Sequence, residues 1–158
     1  MSDIMSDFII TVADPSFLED VMAIENSSFS LPWSRQSMEY CFSNYPNRVT
    51  VALLDGKVVG FAVAMIMKPE VEIADLAVLK EYRNRGIGRE LMKEIISFAG
   101  GIGCTDFFLE VRASNSPAKS VYSSLGFKEY AKIRNYYRSP MEDAVLMKMR
   151  ITEKQNEI

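Results

Sequence analysis

The sequence predicts an α/β domain with a mixed, mostly antiparallel central sheet that is flanked by helices on both faces. Residues 49–54 and 57–67 are apolar, strand-like runs joined by Asp55-Gly56, a dipeptide that favours the tight turn of an antiparallel hairpin. Residues 71–79 follow at once as a third antiparallel strand. A helical pattern over residues 90–99 then leads to another strand, which predicts a right-handed crossover between parallel strands.

One strand and two helices are predicted before the hairpin. Residues 8–12 form the strand, and Asp14-Pro15 supplies an N-cap and an N-terminal proline for a helix that runs to about Glu25. An apolar, proline-bearing loop follows at residues 29–34 (FSLPWS), and its last serine caps a second, short helix. This loop holds the only tryptophan, and its apolar side chains either line a ligand cleft or pack locally.

The second half of the chain continues to alternate between strand and helix. Its predicted elements are a strand at residues 107–111, a helix at 116–125, and strands at 127–132 and 143–150. No linker-like stretch divides the chain, and 158 residues suit one domain with a sizeable core. We therefore assign residues 1–150 to this domain and residues 151–158 to a polar C-terminal tail.

Composition narrows the classes of function. A net charge of −3 argues against a general nucleic-acid binder. No apolar run approaches the roughly 20 residues that cross a bilayer, and the first residues carry acids, so we expect a cytoplasmic protein without a membrane partner. Cys41 and Cys104 lack metal-ligand spacing, which predicts free thiols and no metal site. Because there is no histidine, acid–base chemistry must use carboxylate, tyrosine, lysine, cysteine or water.

A glycine-containing segment, residues 83–89 (RNRGIGR), lies between the third predicted strand and the helix. The backbone N–H groups at the positive end of a helix bind phosphate, and Gly86 and Gly88 would let a bulky anion approach. The dinucleotide fingerprint would need a third glycine at Leu91, and the Gly-Lys-Ser/Thr ending of a P-loop is absent. The segment thus predicts a phosphate site of another kind, with a turn of solvated arginines as the alternative.

Three residues are candidates for acid–base chemistry. Glu110 interrupts an apolar central strand, where burial would raise its pKa and make it a useful base, unless it pairs with Arg112 or a lysine. Tyr122 is a candidate proton donor if its helix returns over the end of that strand, although tyrosines on helices more often belong to the core. Glu72 competes with Glu110 for the role of base, with a solvated edge carboxylate as its alternative.

Together these segments resemble the GNAT N-acetyltransferase superfamily and, within it, the RimI group of ribosomal-protein-alanine N-acetyltransferases. The resemblance covers nearly the whole chain. It rests on residues 29–34 (FSLPWS), 76–78 (LAV), 83–89 (RNRGIGR), 109–115 (LEVRASN), 121–127 (VYSSLGF), 134–137 (RNYY) and 142–144 (EDA). The glycine segment alone indicates only the superfamily, whereas residues 109–127 and the Asn-Tyr-Tyr segment are far more specific.

The resemblance implies acetyl-CoA as co-substrate, no metal, and direct acetyl transfer. Glu110 would be the general base and Tyr122 the general acid. Backbone groups of residues 76–78 would pair with the pantetheine arm, residues 84–89 would hold the pyrophosphate, and Asn115 would bind near the thiol. The implied cofactor-binding set is Leu76, Ala77, Val78, Asn84, Arg85, Gly86, Ile87, Gly88, Arg89 and Asn115. Glu72 falls where histone-acetylating members of the superfamily place their base.

The resemblance also implies the acceptor, namely the N-terminal α-amine of a protein and, more specifically, the N-terminal alanine of a small-subunit ribosomal protein. An enzyme of broader specificity, acting on lysine side chains, other N-termini or small amines, is the alternative. A noncatalytic module that binds CoA or a nucleotide would keep Gly86 and Gly88 but would gain nothing from Glu110 and Tyr122.

Overall fold

Seven strands and four α-helices make up residues 8–152, the part of the chain that the computed structural model describes. The strands are β1 (Ile9–Val12), β2 (Arg48–Leu54), β3 (Lys57–Met67), β4 (Glu70–Val78), β5 (Asp106–Arg112), β6 (Lys128–Tyr137) and β7 (Glu142–Arg150). The helices are α1 (Leu18–Ser28), α2 (Arg35–Ser43), α3 (Ile87–Gly101) and α4 (Ser116–Leu125). Short 3-10 turns precede α1 and follow β4.

The strands form one mixed sheet in the order β1-β2-β3-β4-β5-β7-β6. Only β4 and β5 pair in parallel, and the other neighbouring strands pair antiparallel. At the tip of the β2–β3 hairpin, Asp55 and Gly56 have φ angles of 52° and 79°, the left-handed conformations that the predicted turn requires. The predicted mixed, mostly antiparallel sheet is confirmed.

Helices cover both faces of this sheet because β3 is buried on both sides. Along β3, Phe61 and Val63 pack against α1 and α2, whereas Ala62 and Ala64 belong to the core beneath α3 and α4. Successive side chains of a strand point to opposite faces, so a continuous apolar run supplies two cores. Both cysteines are buried free thiols, as predicted.

The parallel pair β4 and β5 is paired over a short stretch only. Glu70 to Glu72 lie opposite Asp106 to Phe108, and the register ends there. Farther along β4, Ile73 and Asp75 pair with the consecutive β3 residues Ala64 and Val63, so Ala74 between them forms a bulge. A bulge bends its strand, and here β4 and β5 separate. An opening therefore lies between them in the middle of the sheet.

Some boundaries differ from those expected from sequence. Helix α3 begins at Ile87, so it starts between the two glycines and not after them. Strand β6 extends to Tyr137, five residues beyond the predicted end, because an exposed edge strand shows no hydrophobic alternation. The Ile151 N–H donates to the Thr105 carbonyl, so ordered contacts continue past residue 150. The rest of the predicted tail, residues 153–158, lies outside the described residues, as do residues 1–7.

Candidate active site

A cleft of about 750 Å³ occupies the opening between β4 and β5. Strand β4 forms one wall and β5 the other, while the α1–α2 loop, α4 and the β6–β7 connection close its sides. Its lining includes Glu25, Phe29, Leu31, Trp33, Glu72, Asp75, Leu76, Glu110, Arg112, Asn115, Tyr122, Tyr136 and Tyr137. Of the sequence-predicted residues, this cleft thus brings together Glu72, Glu110, Tyr122, Asn115 and Leu76.

The start of α3 lies beside this cleft. Gly86 is the N-cap with φ of 83°, and Glu90 N–H donates the helix's first bond to Gly86 O at 3.1 Å. The three amides before Glu90 therefore precede the helical hydrogen bonds and point out of its positive end. A Cβ built on Gly86 would meet no atom within 4 Å, and one on Gly88 only Leu76 Cδ2 at 4.0 Å. A bulky anion has room to approach this backbone.

The end of β4 turns alternate backbone groups toward the opening. Leu79 N–H donates to Val59 O of β3 at 2.9 Å, so Ala77, two residues earlier, also faces β3. The backbone N–H and C=O groups of Leu76 and Val78 consequently point away from β3. Leu76 N–H donates to Asp75 Oδ1 at 3.0 Å, and Val78 O accepts from Arg83 Nε at 2.9 Å.

Glu110 lies on the β5 wall and is exposed, so the expected burial of this carboxylate is wrong. The Tyr136 hydroxyl donates to Glu110 Oε1 at 3.0 Å, and this hydrogen bond raises the pKa of the Tyr136 phenol. The alternative pairing with Arg112 is wrong too, because Arg112 lies 3.2 Å from Glu142 Oε1. Glu110 therefore keeps a carboxylate directed into the cleft.

Glu72 lies across the opening from Glu110. Partial burial, followed by the negative charge of Glu110, raises the pKa of Glu72 above its ordinary value. By its surface area Glu72 is exposed, as Glu110 is, so a buried carboxylate is found at neither position. Both carboxylates are placed where an amine in the cleft can meet them.

Tyr122 points from α4 into the cleft and is buried. Burial, with smaller contributions from Tyr137 and Asp75, raises its pKa well above the ordinary value, so the phenol stays protonated at neutral pH. Asn115 caps α4 by accepting from Ala118 N–H at 3.2 Å through its side-chain oxygen. The cleft therefore combines a carboxylate and a protonated phenol from consecutive elements.

The α1–α2 loop meets the β6–β7 connection across the cleft. Phe29, Leu31 and Trp33 line the cleft, and Ser30 Oγ donates to Ser139 O at 2.6 Å. The loop thus lines a cleft, as one of the two sequence interpretations expects, and whether a ligand binds there stays a prediction. Trp33 also packs against the core beneath α1 and α2, so local packing contributes as well.

Sequence reasoning missed Glu25 of this site, and it expected Asp75 only as an acid at the cleft mouth and not as a buried group. Glu25 is almost fully buried on the apolar face of α1, and Asp75 is half-buried beside the β4 bulge. An acid within an apolar helix face, eight residues before the only tryptophan, and an acid inside an apolar strand were the available signals.

Comparison with known proteins defines the class. The chain belongs to the GNAT acetyltransferase family, because the model of the Acetyltransferase (GNAT) family matches residues 18–127. It is therefore an acetyltransferase, and the family identified from sequence is confirmed.

Particular relatives are similar over most of their length. A [ribosomal protein bS18]-alanine N-acetyltransferase of Salmonella typhimurium is 32% identical over 147 residues, covering 90% of this chain and 97% of the relative. The Escherichia coli enzyme of the same name is 35% identical, covering 82% and 88%. The crystal structure of the Escherichia coli ribosomal-protein-S18-alanine N-acetyltransferase superposes with a TM-score of 0.85 at 30% identity, covering 92% of this chain and 94% of that one.

Two kinds of feature are absent from the part of the chain that the structure describes. Within residues 8–152, no group of three or more histidine, cysteine, aspartate or glutamate side chains is arranged to hold a metal ion. No helix in the same range has the length and apolar character that crossing a membrane requires.

Proposed function

We propose that this acetyltransferase moves the acetyl group of acetyl-CoA to the N-terminal α-amine of a protein, and that the acceptor is the N-terminal alanine of a small-subunit ribosomal protein. The observation that carries this proposal is the cleft between β4 and β5, which has Glu110 on one wall and the protonated Tyr122 phenol beside it. The acceptor is supported by the names of the bacterial relatives, which acetylate an alanine of ribosomal protein bS18.

Acetyl-CoA fits the backbone features of the opening. The amides at the start of α3 and the open space at Gly86 suit a pyrophosphate, and we assign residues 84–89 to it. Residues 76–78 flank the pantetheine arm. Leu76 and Val78 face it with their backbone groups, and Ala77 stands between them with its backbone toward β3. Asn115 is assigned to the thiol end, where its amide nitrogen remains a donor while its oxygen caps α4.

The proposed reaction uses two proton transfers. The acceptor nitrogen forms a bond to the thioester carbonyl carbon as the carbon–sulfur bond breaks. Glu110 takes the proton that the nitrogen loses, and Tyr122 gives its proton to the departing thiolate. An N-terminal amine has a pKa near 8, so an exposed carboxylate acting directly or through water is an adequate base, whereas lysine near 10.4 is a harder substrate.

Selection of the acceptor is assigned to the side chains opposite the glycine segment. Phe29, Leu31 and Trp33 face Tyr136 and Tyr137 across the cleft, and the bond from Ser30 to Ser139 joins the two segments. A short N-terminal residue fits between such apolar walls, and a larger one is rejected by overlap.

A peptide panel tests the proposal. Release of CoA is measured with matched peptides that begin with Ala, Ser or Met, and with an N-terminally blocked alanine peptide that carries an internal lysine. We expect the highest kcat/KM on the alanine peptide. Comparable turnover of the blocked lysine peptide would refute α-amine specificity, and a preference for Met would indicate another class of acceptor.

The second candidate is an enzyme of broader specificity that also modifies lysine side chains, other N-termini or small amines. One observation favours it, namely the raised pKa of Glu72, which makes Glu72 more basic than an ordinary glutamate. A base of this kind suits an amine that holds its proton more tightly. The lysine arm of the peptide panel distinguishes the two candidates.

A further inference from the structure

Two carboxyl groups that the proposed chemistry does not use, Glu25 of α1 and Asp75 of β4, meet in the wall of the cleft. Glu25 is only 1% exposed. Its Oε2 accepts the backbone N–H of Trp33 at 2.8 Å, and Asp75 Oδ1 accepts the backbone N–H of Leu76 at 3.0 Å. One oxygen of each carboxyl is therefore bound to a backbone amide, and these amides belong to opposite sides of the cleft.

The other two oxygens need a donor. Glu25 Oε1 and Asp75 Oδ2 are buried, and no described residue donates a hydrogen bond to either when both groups are ionised. An unpaired buried charge is costly, and two such charges side by side cost more. The Asp75 carboxyl lies within hydrogen-bonding reach of Glu25. A single proton between the two carboxyls gives both oxygens a partner.

The surroundings favour that proton. The groups that interact electrostatically with Asp75 are Glu25 from α1, the Cys41 thiol from α2 and the Tyr122 phenol from α4. Burial raises the pKa of both Cys41 and Tyr122, so these two neighbours stay neutral and compensate no negative charge. Burial, followed by the hydrogen bond to Glu25, raises the pKa of Asp75 to about 9.

The pair connects two parts of the site. Glu25 is fixed in a helix and holds the loop through Trp33, while Asp75 is fixed in the central strand beside the bulge at Ala74. We infer that Glu25 and Asp75 are positioning residues that share one proton, and that this proton holds the α1–α2 loop against β4 so that the acceptor cleft keeps its shape.

The proton balance predicts how the device responds to pH. At a pH where the shared proton is still bound, the pair of Glu25 and Asp75 carries one negative charge, which the Trp33 and Leu76 amides stabilise. At higher pH the proton passes to solvent and two adjacent carboxylates repel each other. At Asp75 the strand β4 is paired with β3, whereas the loop has no strand partner, so the repulsion displaces the loop that carries Trp33. The wall of the cleft that residues 29–34 form becomes less ordered, and the glycine segment at the start of α3 is unaffected.

The only tryptophan of the chain lies in this loop and reports directly on it. Indole fluorescence is followed from about pH 7 to about pH 10.5 for the wild type, Asp75→Asn and Glu25→Gln. Either amide donates to the remaining carboxylate without a titrating proton. We expect an alkaline transition in the wild type that both variants lack. The same transition in all three proteins, or none in the wild type, would overturn the inference, and either folded variant suffices for the comparison.

A kinetic arm rests on the proposed function. Over the same range, the KM for the alanine peptide should rise about tenfold more in the wild type than in Asp75→Asn, since loss of a hydrogen bond to a charged group costs about that factor. The acceptor amine loses its proton in the same way with both proteins, so its titration does not contribute to the difference between the two KM changes. An equal rise would overturn the inference. If no peptide is turned over by any protein, the proposed function fails while the fluorescence comparison still decides about the pair.

Discussion

The two sides of the cleft are built in different ways. The proposed cofactor side, residues 76–89, contains a strand end and a helix start, and the binding groups assigned to it are backbone amides and carbonyls. The proposed acceptor side, residues 29–34 together with 135–140, consists of a loop, the end of β6 and the turn after it, and is fixed in part by three hydrogen bonds that involve side chains. These contacts are Ser30 with Ser139, Tyr136 with Glu110, and Trp33 with Glu25.

This difference explains how one fold serves many acceptors. A backbone site tolerates changes of side chain, so the cofactor side can remain constant while sequences diverge. A site fixed by single side-chain hydrogen bonds can be altered by single substitutions. Variants of the cofactor side should therefore change acetyl-CoA affinity alone, and variants of the acceptor side should change the KM or rate for the peptide alone.

The largest expected effect separates chemistry from cofactor binding. Glu110→Gln keeps the shape of the side chain and removes the base, so kcat should fall by about two to four orders of magnitude. The affinity for acetyl-CoA should be unchanged, because Glu110 lies on β5 and not on the cofactor side. Steady-state kinetics and calorimetry measure the two quantities.

Glu72→Gln is the matched control for that variant, because it removes the neighbouring carboxylate whose pKa is raised. We expect a much smaller loss of kcat. A crippled Glu72→Gln enzyme beside a nearly normal Glu110→Gln enzyme would exchange the roles of the two residues.

The next largest effect is expected on the cofactor side. A Cβ on Gly88 would face open space apart from Leu76 Cδ2 at 4.0 Å, and Gly88 lies inside α3, so Gly88→Val leaves the backbone unstrained and blocks the approach to the helix start. The Kd for acetyl-CoA should rise about ten- to hundredfold, the equivalent of 1–3 kcal/mol of overlap. Calorimetry measures it.

Gly101→Val is the control, since Gly101 ends the same helix and its Cβ would also meet nothing within 4 Å. Equal Kd values for the two variants would contradict the assignment of the helix start. Gly86 is a poorer probe, because its φ of 83° strains any larger residue and mixes a folding defect with a binding defect.

The contrast between the two sides of the cleft also explains how much of the site could be predicted from the sequence. The strand end and helix start of the proposed cofactor side were predictable because Gly86, Gly88 and the strand before them are local signals. Glu110 and Tyr122 were found as cleft residues, but Glu110 is exposed, and a raised pKa is found at Glu72. That difference depends on how β4 separates from β5, and the bulge at Ala74 leaves no mark in the alternation of side chains.

The acceptor side was harder for a related reason. Its two segments are more than a hundred residues apart in sequence, so the bond between Ser30 and Ser139 follows from no local pattern. The continuation of β6 to Tyr137 was missed because an exposed edge strand shows no hydrophobic alternation, and in the structure Asn135, with a φ of 54°, interrupts its regular conformation. Before the structure, Tyr136 and Tyr137 were singled out only because their segment resembles the family.

An effect of intermediate size is expected on protein stability, and it tests the buried pair of Glu25 and Asp75. The pKa of Asp75 is raised from 3.8 in the unfolded chain to about 9 in the folded protein, so folding takes up a proton between these values. The free energy of unfolding should consequently fall as pH rises from about 4 to about 9. Asp75→Asn lacks this fall and should be about 1–4 kcal/mol more stable than the wild type near pH 8.

Thermal unfolding at several pH values measures this difference, because 1 kcal/mol shifts the Tm of a chain of this size by roughly 2–4 °C. Parallel Tm curves for the wild type and Asp75→Asn would show that no proton is taken up at this site. The effect belongs to the acceptor side, so the affinity for acetyl-CoA at neutral pH should be the same in both proteins.

The smallest expected effect probes the bond that joins the two acceptor segments. Ser30→Ala removes the hydroxyl that donates to Ser139 O, and a hydrogen bond of this kind contributes about 0.5–1.5 kcal/mol. The KM for the alanine peptide should rise about two- to tenfold, with kcat and the Kd for acetyl-CoA unchanged. Ser27→Ala is the matched control, since the Ser27 hydroxyl donates to Ile24 O within α1 and joins no separate segments. If both variants raise KM equally, the loss lies in the helix and not in the contact across the cleft. A rise confined to Ser30→Ala would identify that contact as the element that sets the width of the acceptor cleft.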